Sequence, residues 1–263
     1  MRDPCNFCWY ELTTPDVEAA KAFYCPVIGW EAPPFGEPNR YYTILSAQGR
    51  GIGGIVETPQ FARGAGPAWV GYIAVPDAHR AAEGVVRAGG SIRRPVKEIP
   101  GVGRFAVVAD PQGAVFVLMA PFPVDLPPPV ASGTPGHPAW RELYTSDWQA
   151  ALDFYAGEFG WSAAESLNMG AMGTYQMFSA GAEAIGGMMN DPNASARPFW
   201  LYYFWVDAID DAAGRVRANG GEVIHGPSDV PGGSRIIHAR DPQGAMFGLA
   251  APAARAHEAG DRN

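Results

Sequence analysis

The chain has 263 residues, of which 47% are hydrophobic and 17% charged, and its formal net charge is −8. This composition excludes intrinsic disorder, which requires low hydrophobicity and high charge. An acidic chain without a run of Lys or Arg argues against nucleic acid and anionic membranes as partners, and no apolar run reaches the roughly 18–20 residues of a bilayer span. The first residues show no apolar leader, and three cysteines cannot form a paired framework, so we expect a cytoplasmic protein.

The predicted elements of the first half, in chain order, are a strand at 7–13, a helix at 16–24, strands at 41–45, 51–57 and 69–75, a helix at 77–88, and a hairpin of strands 102–109 and 115–120. Asp16 is a typical N-cap for the first helix, and Gly89 and Gly90 end the second. The turn of the hairpin, Asp110 to Gly113, has the residues of a type I turn.

The second half of the chain repeats the first at an offset of 131 residues. Residues 9–32 and 140–163 are identical at 12 of 24 positions, and residues 99–116 and 230–247 are identical at nine of 18. A repeat of this length indicates two homologous domains. The Pro-rich stretch between them is interpreted as a semi-rigid linker, with a long active-site lid as the alternative. The predicted division is a first domain at 1–122, a linker at 123–136, a second domain at 137–252 and a tail at 253–263.

Each half therefore carries a strand-helix-strands unit twice. The predicted fold class is α+β, with two tandem copies of paired βαβββ modules that form curved, mostly antiparallel sheets with helices on the outside. The pattern W-x-E-L-x-T-x-D, then F-Y, G-W and D-P-Q-G-A, occurs in both halves. It resembles the vicinal oxygen chelate superfamily over residues 5–250 and is similar to its tandem, glyoxalase-like or bleomycin-resistance-like members. That superfamily includes glyoxalases, extradiol dioxygenases, epimerases, fosfomycin-modifying enzymes and bleomycin-binding proteins.

The resemblance implies three metal-ligand positions in each copy. They lie on the first strand of the copy, at the start of the first strand of its second module, and on its last strand. In the first copy these positions correspond to Trp9, Trp69 and Val117, and in the second copy to Trp140, Trp200 and Gly248. Indole, valine and glycine side chains offer no lone pair to a metal, whereas first-row sites need imidazole, carboxylate or thiolate. We therefore predict no metal and no other cofactor.

Strand parity predicts what fills the curved sheets instead. Glu11 shares a strand face with Trp9, and Glu142 shares one with Trp140, so these two carboxylates are the candidate catalytic residues. The candidate ligand-binding residues form an aromatic cup that holds a carboxylate and a guanidinium group; they are Trp9, Trp69, Arg104, Trp140, Trp200, Tyr202 and Arg235. Two alternatives stay open. In the first alternative, the aromatic residues are ordinary core residues that fill the space of a lost pocket. In the second, the carboxylates form structural ion pairs of the Glu11–Arg104 type.

The sequence predicts metal-independent binding or sequestration of a small apolar or aromatic molecule. The alternative is a glyoxalase-like lyase or isomerase, or a ring-cleaving enzyme, that uses a cup glutamate or a metal not yet placed; a structural role is a third class. His225 and His238 could approach each other across a hairpin, yet they are interpreted as surface or satisfied core residues. The expected partner is a small-molecule ligand, without nucleic acid or membrane, and a homodimer is possible.

Overall fold

The computed structural model describes residues 4–33, 42–59, 64, 66–123, 130–193 and 197–252. In the first copy the elements are β1 (Phe7–Thr14), α1 (Val17–Tyr24), β2 (Tyr42–Ala47), β3 (Arg50–Glu57), β4 (Ala68–Ala74), α2 (Ala78–Arg87), β5 (Ser91–Ile99), β6 (Gly103–Ala109) and β7 (Val115–Pro121). The first helix continues into a π-helical turn at Cys25–Gly29.

The second copy repeats this series and adds one strand. Its elements are β8 (Pro138–Thr145), α3 (Trp148–Phe159), β9 (Ser162–Asn168), β10 (Thr174–Ser179), β11 (Ala184–Asn190), β12 (Phe199–Trp205), α4 (Ile209–Ala218), β13 (Glu222–Val230), β14 (Ser234–Arg240) and β15 (Met246–Pro252). A short 3₁₀ turn at Gly170–Met172 separates β9 from β10. Among all the described residues, no helix is long and apolar enough to cross a membrane.

Each copy forms one curved, mixed sheet, which confirms the predicted fold class. The strand order is β2-β3-β1-β4-β7-β6-β5 in the first sheet and β9-β10-β11-β8-β12-β15-β14-β13 in the second, so the two orders match apart from β9 at one edge. The modules of a copy pair with each other through the antiparallel contacts β1–β4 and β8–β12. The edge strands β5 and β13 were not predicted, because each contains a proline in its interior, which a sheet tolerates in an edge strand or at a bulge but not in a regular central strand.

The helices lie on one face of each sheet, and these two faces pack against each other. Phe23 and Tyr24 of α1 contact the Phe247 ring of β15, with ring centroids 5.8 and 5.2 Å apart. In the same way Tyr155 of α3 contacts Phe116 of β7 at 5.6 Å. The first helix of each copy therefore packs on the last strand of the other copy. We call this buried layer between the two sheets the seam.

The D-P-Q-G turns hold the seam together. Asp110 Oδ1 accepts the backbone N–H groups of the three residues that follow Pro111, and its Oδ2 accepts the hydroxyl of Tyr155 from the other copy at 3.2 Å. Asp241 repeats the arrangement with Tyr24 at 3.0 Å. Each turn thus satisfies a buried carboxylate and joins the two copies.

Candidate functional site

Within the described part of the chain the opposite face of each sheet carries no helix, and we call these faces the first cup and the second cup. Along β1 the residues Tyr10, Leu12 and Thr14 are buried in the seam, so the alternation of a strand turns Trp9 and Glu11 into the first cup. The repeat places Trp140 and Glu142 in the second cup in the same way. These four residues therefore lie where the sequence predicted; their catalytic and binding roles stay predictions.

In the second cup a carboxylate is surrounded by phenols. Glu142 is 7% exposed, and its Oε2 accepts the hydroxyl of Tyr203 at 2.8 Å. Burial, and then the Glu142 charge, raise the pKa of the nearby Tyr144 and Tyr175 phenols, and the indole of Trp140 donates to the Tyr175 hydroxyl at 2.7 Å. Tyr203 thus donates directly to the buried carboxylate, as such a group requires, and two further phenols lie beside it.

A histidine extends this network in the second cup. Nε2 of His238 lies 2.6 Å from the Tyr203 hydroxyl and 4.0 Å from Glu142 Oε2. The ring of His225 lies beside it, with centroids 5.2 Å apart. Burial lowers the pKa of His238 below its ordinary value and His225 lowers it further, against the opposing effect of Glu142. The neutral imidazole is therefore favoured.

The first cup repeats the core of the same network. The phenols of Tyr42 and Tyr72 lie beside the Glu11 carboxylate, and the indole of Trp9 donates to the Tyr42 hydroxyl at 2.8 Å. Burial raises the pKa of Glu11, and Tyr72, Tyr42 and the charge of Arg94 partly offset that effect. Both copies therefore hold one glutamate between two tyrosines, with an indole bonded to one of them.

The second glycine of the Gly-Gly pair on β3 and β11 makes this arrangement possible. A Cβ at Gly187 would lie 2.2 Å from the ring of Tyr175, and a Cβ at Gly54 would lie 2.4 Å from the Tyr42 hydroxyl oxygen. Only a residue without a side chain lets the tyrosine ring cross the strand to reach the glutamate. The repeated Gly-Gly pair is thus the sequence signal for these tyrosines.

The predicted placement of Trp69, Trp200 and Tyr202 in the cups is wrong. Trp69 donates to the Tyr24 hydroxyl at 3.0 Å and Trp200 to the Tyr155 hydroxyl at 3.2 Å, both in the seam. The Tyr202 hydroxyl accepts the backbone N–H of Gly71 across the seam at 2.8 Å. The strand register explains the error, because the residues paired with Trp9 and Trp140 are Tyr72 and Tyr203.

Arg104 and Arg235 also lie outside the cups. Arg104 is half-exposed and pairs with Glu98 at 3.0 Å, so it forms no ion pair with Glu11. Arg235 pairs with Asp210 of α4, on the helix-bearing face. Along β14 the side chains that face the second cup are those of Ile236 and His238. The sequence did not indicate that His238 would lie beside Tyr203 and Glu142.

The donors of the cups do not fit a metal ion. In the second cup the nearest pair is Glu142 and His238, and the Tyr203 hydroxyl lies between them within hydrogen-bond distance of both. Over the residues that the structure describes, no three His, Cys, Asp or Glu side chains come together as a metal site would require. Zinc needs about four ligands and calcium six or more.

Comparisons with known proteins agree with the fold. A model of the Glyoxalase/Bleomycin resistance protein/Dioxygenase superfamily matches residues 7–118 and 135–249. The chain is 33% identical over 249 residues to CFP32 of Mycobacterium tuberculosis, whose name assigns it provisionally to the glyoxylases, with 93% of this chain and 94% of that protein covered. It is 31% identical over 256 residues to the anthracycline biosynthesis protein DnrV of Streptomyces peucetius, covering 92% and 91%.

Two solved structures share the architecture. The Mn(II)-bound glyoxalase of Novosphingobium aromaticivorans aligns with a TM-score of 0.64 at 18% identity, over 95% of this chain and 82% of that one. The 2,3-dioxygenase LapB of Pseudomonas sp. KL28 aligns with a TM-score of 0.66 at 14% identity, over 100% and 97%. At such identities the likeness concerns the fold alone.

Proposed function

The chain belongs to the Glyoxalase/Bleomycin resistance protein/Dioxygenase superfamily, and we propose that it binds or sequesters a small apolar or aromatic molecule without a metal ion. One observation carries the proposal. In the second cup the carboxylate of Glu142 and the imidazole of His238 approach each other to 4.0 Å, and no other such pair does so there in the described part of the chain. The phenol of Tyr203 lies between them and is within hydrogen-bond distance of both. The groups that could coordinate a metal are instead bonded to each other through that phenol.

The lining of the cups favours a flat, weakly polar ligand. Indoles and phenols present apolar faces, and small-molecule sites combine such faces with a few polar groups. Relatives of this chain are named for anthracycline biosynthesis in Streptomyces. We therefore propose polycyclic aromatic compounds as the class of ligand to test first.

Thermal shift measurements test this proposal. The purified protein is screened against aromatic compounds of one to four fused rings, with aliphatic molecules of equal size as controls. A ligand that binds the folded state stabilises it by about 2.7 kcal/mol at 100 times its Kd, so aromatic compounds should raise the Tm and aliphatic ones should not. Failure of every compound to raise the Tm would contradict the proposal.

Metal content is measured on the same preparations. We expect less than stoichiometric zinc, manganese, iron and nickel by elemental analysis, and no change of Tm on addition of EDTA. About one transition-metal ion per copy, lost together with stability in EDTA, would contradict metal-free binding and favour an enzyme.

A glyoxalase-like lyase or isomerase is the second candidate, and the hydrogen-bonded series Glu142–Tyr203–His238 favours it. A carboxylate and a neutral imidazole joined through a phenol can accept and return a proton, as isomerisation requires. The test is turnover of a methylglyoxal–thiol adduct by EDTA-treated protein. An enzyme of this kind would lose at least about 100-fold in kcat in the Glu142→Gln variant, whereas a binding protein shows no turnover to lose.

A further inference from the structure

The two cups share one network but differ in the residues around it. In the first cup Tyr72, Phe105, Val117 and Met119 form a buried apolar cluster, against which Trp9, Val70, Ile99 and Val107 pack. This cluster occupies the middle of the helix-free face. The first cup is therefore filled by its own side chains.

The second cup carries smaller residues at the same positions. At an offset of 131 residues, Phe105, Val117 and Met119 correspond to Ile236, Gly248 and Ala250. Part of the freed volume is taken by the Tyr203 ring, which lies over Gly248 so closely that a Cβ there would be 2.3 Å from the ring. At positions 248 and 250 the second cup therefore carries no side chain larger than a methyl group.

The second cup is also more polar and more aromatic at its rim. His238 replaces Val107, and His225 replaces Arg94. The partly exposed rings of Tyr144 and Phe199 stack at 4.9 Å with an interplanar angle of 10°, where the first copy has Thr13 and Ala68. Flat π-surfaces and imidazoles thus occur together in one cup.

The hydrogen bonds around Tyr203 fix which nitrogen of His238 carries the proton. The Tyr203 hydroxyl donates its proton to Oε2 of Glu142 at 2.8 Å. The Tyr203 oxygen then accepts from Nε2–H of His238, which lies 2.6 Å away. In a neutral ring Nδ1 is consequently the acceptor, and the side chain of His238 is 18% exposed.

From these observations, and resting on the proposed metal-free binding, we propose that the second cup alone is the ligand site and that it takes a planar aromatic molecule with a hydroxyl group. The inner faces of the Tyr144 and Phe199 rings stack on each other, and the outer face of this pair contacts the aromatic face of the ligand. The hydroxyl donates to Nδ1 of His238. The first cup supports the fold and binds no ligand.

Calorimetric titration with 2-naphthol, and with 2-methoxynaphthalene as the probe that lacks the donor, tests the proposal. We expect one molecule of 2-naphthol per chain, bound about five- to tenfold more tightly than the ether, as one neutral hydrogen bond predicts. His238→Val introduces the residue that the first copy carries and should bind both probes equally. Val107→Ala in the first cup is the control and should leave both affinities unchanged.

Two molecules per chain, or a retained preference for 2-naphthol in His238→Val, would overturn the assignment while leaving metal-free binding in place. Absence of binding by every aromatic compound overturns the proposed function and this inference with it.

A second readout, the ¹⁵N spectrum of the wild-type protein, does not depend on the variant. In ¹⁵N spectra of the wild-type protein His238 should be protonated at Nε2, and 2-naphthol should shift its Nδ1 resonance; a ring protonated at Nδ1 contradicts the inference.

Discussion

Hydroxyl groups, and not Arg104, stabilise the carboxylate in each cup. Glu142 is buried at 7% exposure, and at such a site an unpaired charge would be costly. Tyr203 donates to it at 2.8 Å, with Tyr144 and Tyr175 nearby. In the first cup Tyr72, Tyr42 and Arg94 all favour the charged form of Glu11.

The raised pKa of Glu11 predicts a pH-dependent contribution to stability. Its folded pKa exceeds its ordinary value of 4.5, so the folded state holds the proton more tightly than the unfolded state. Relative to Glu11→Gln, the free energy of unfolding of the wild type should be greatest below pH 4.5 and decrease as the pH rises through the raised pKa. Urea unfolding of both proteins between pH 4 and 8 measures this difference; a difference that grows with pH would contradict the assignment.

At the scale of the elements, the residues that make the repeat visible mostly belong to the seam. Gln112 accepts hydrogen bonds from Thr145, Ser146 and the backbone N–H of Asp147, and donates to the Asp147 carbonyl at the start of α3. Among the described residues the side chain of Gln243 makes two hydrogen bonds, both with the backbone of Asp16 at the start of α1. In both copies the glutamine of the D-P-Q-G turn thus hydrogen-bonds to the residue at the start of the first helix of the other copy.

This difference in hydrogen bonds predicts unequal effects of equivalent substitutions. Gln112→Ala should lower the free energy of unfolding by about 2 kcal/mol and Gln243→Ala by about 1 kcal/mol, since the four bonds and the two bonds lost are mostly at exposed positions, at the low end of the roughly 0.5–1.5 kcal/mol that each bond contributes. Thermal and urea unfolding of the two variants provide the comparison. Equal losses, or a larger loss in Gln243→Ala, would show that the extra contacts of Gln112 do not stabilise the seam.

The sequence reveals β1 more clearly than β4 and β12 for a physical reason. In β1 a polar glutamate alternates with buried residues, so parity places Trp9 and Glu11 correctly. In β12 the run Phe199–Trp205 is apolar on both faces, because one face packs in the seam and the other lines a cup. Such a run has no alternation to read, and the register that pairs Tyr203 with Trp140 becomes visible only in the sheet.

Similar limits applied to the site as a whole. The fold, the two carboxylates and the two indoles beside them could be predicted from the repeat. The tyrosines and His238 could not, because they come from strands far apart in sequence and meet only across the sheet: Trp140 and Tyr175 are 35 residues apart, and Glu142 and Tyr203 are 61 apart.

At the scale of the whole molecule, the two cups lie on opposite sides of a shared seam. Each copy buries part of its core only against the other, as the contacts of Tyr24 with Phe247 and of Tyr155 with Phe116 show. We expect a fragment of residues 1–122, expressed alone, to fold only where it associates, either with 137–252 or with itself. Sedimentation and circular dichroism across a dilution series measure this, and a folded fragment that stays monomeric at all concentrations would contradict it.

The measurement that tests the central claim most directly is calorimetric titration of the protein with 2-naphthol after exhaustive dialysis against EDTA. The account predicts one molecule bound per chain, with the same Kd before dialysis, after dialysis and after addition of Mn²⁺ or Zn²⁺. Binding that disappears with EDTA and returns with one of these ions would contradict it.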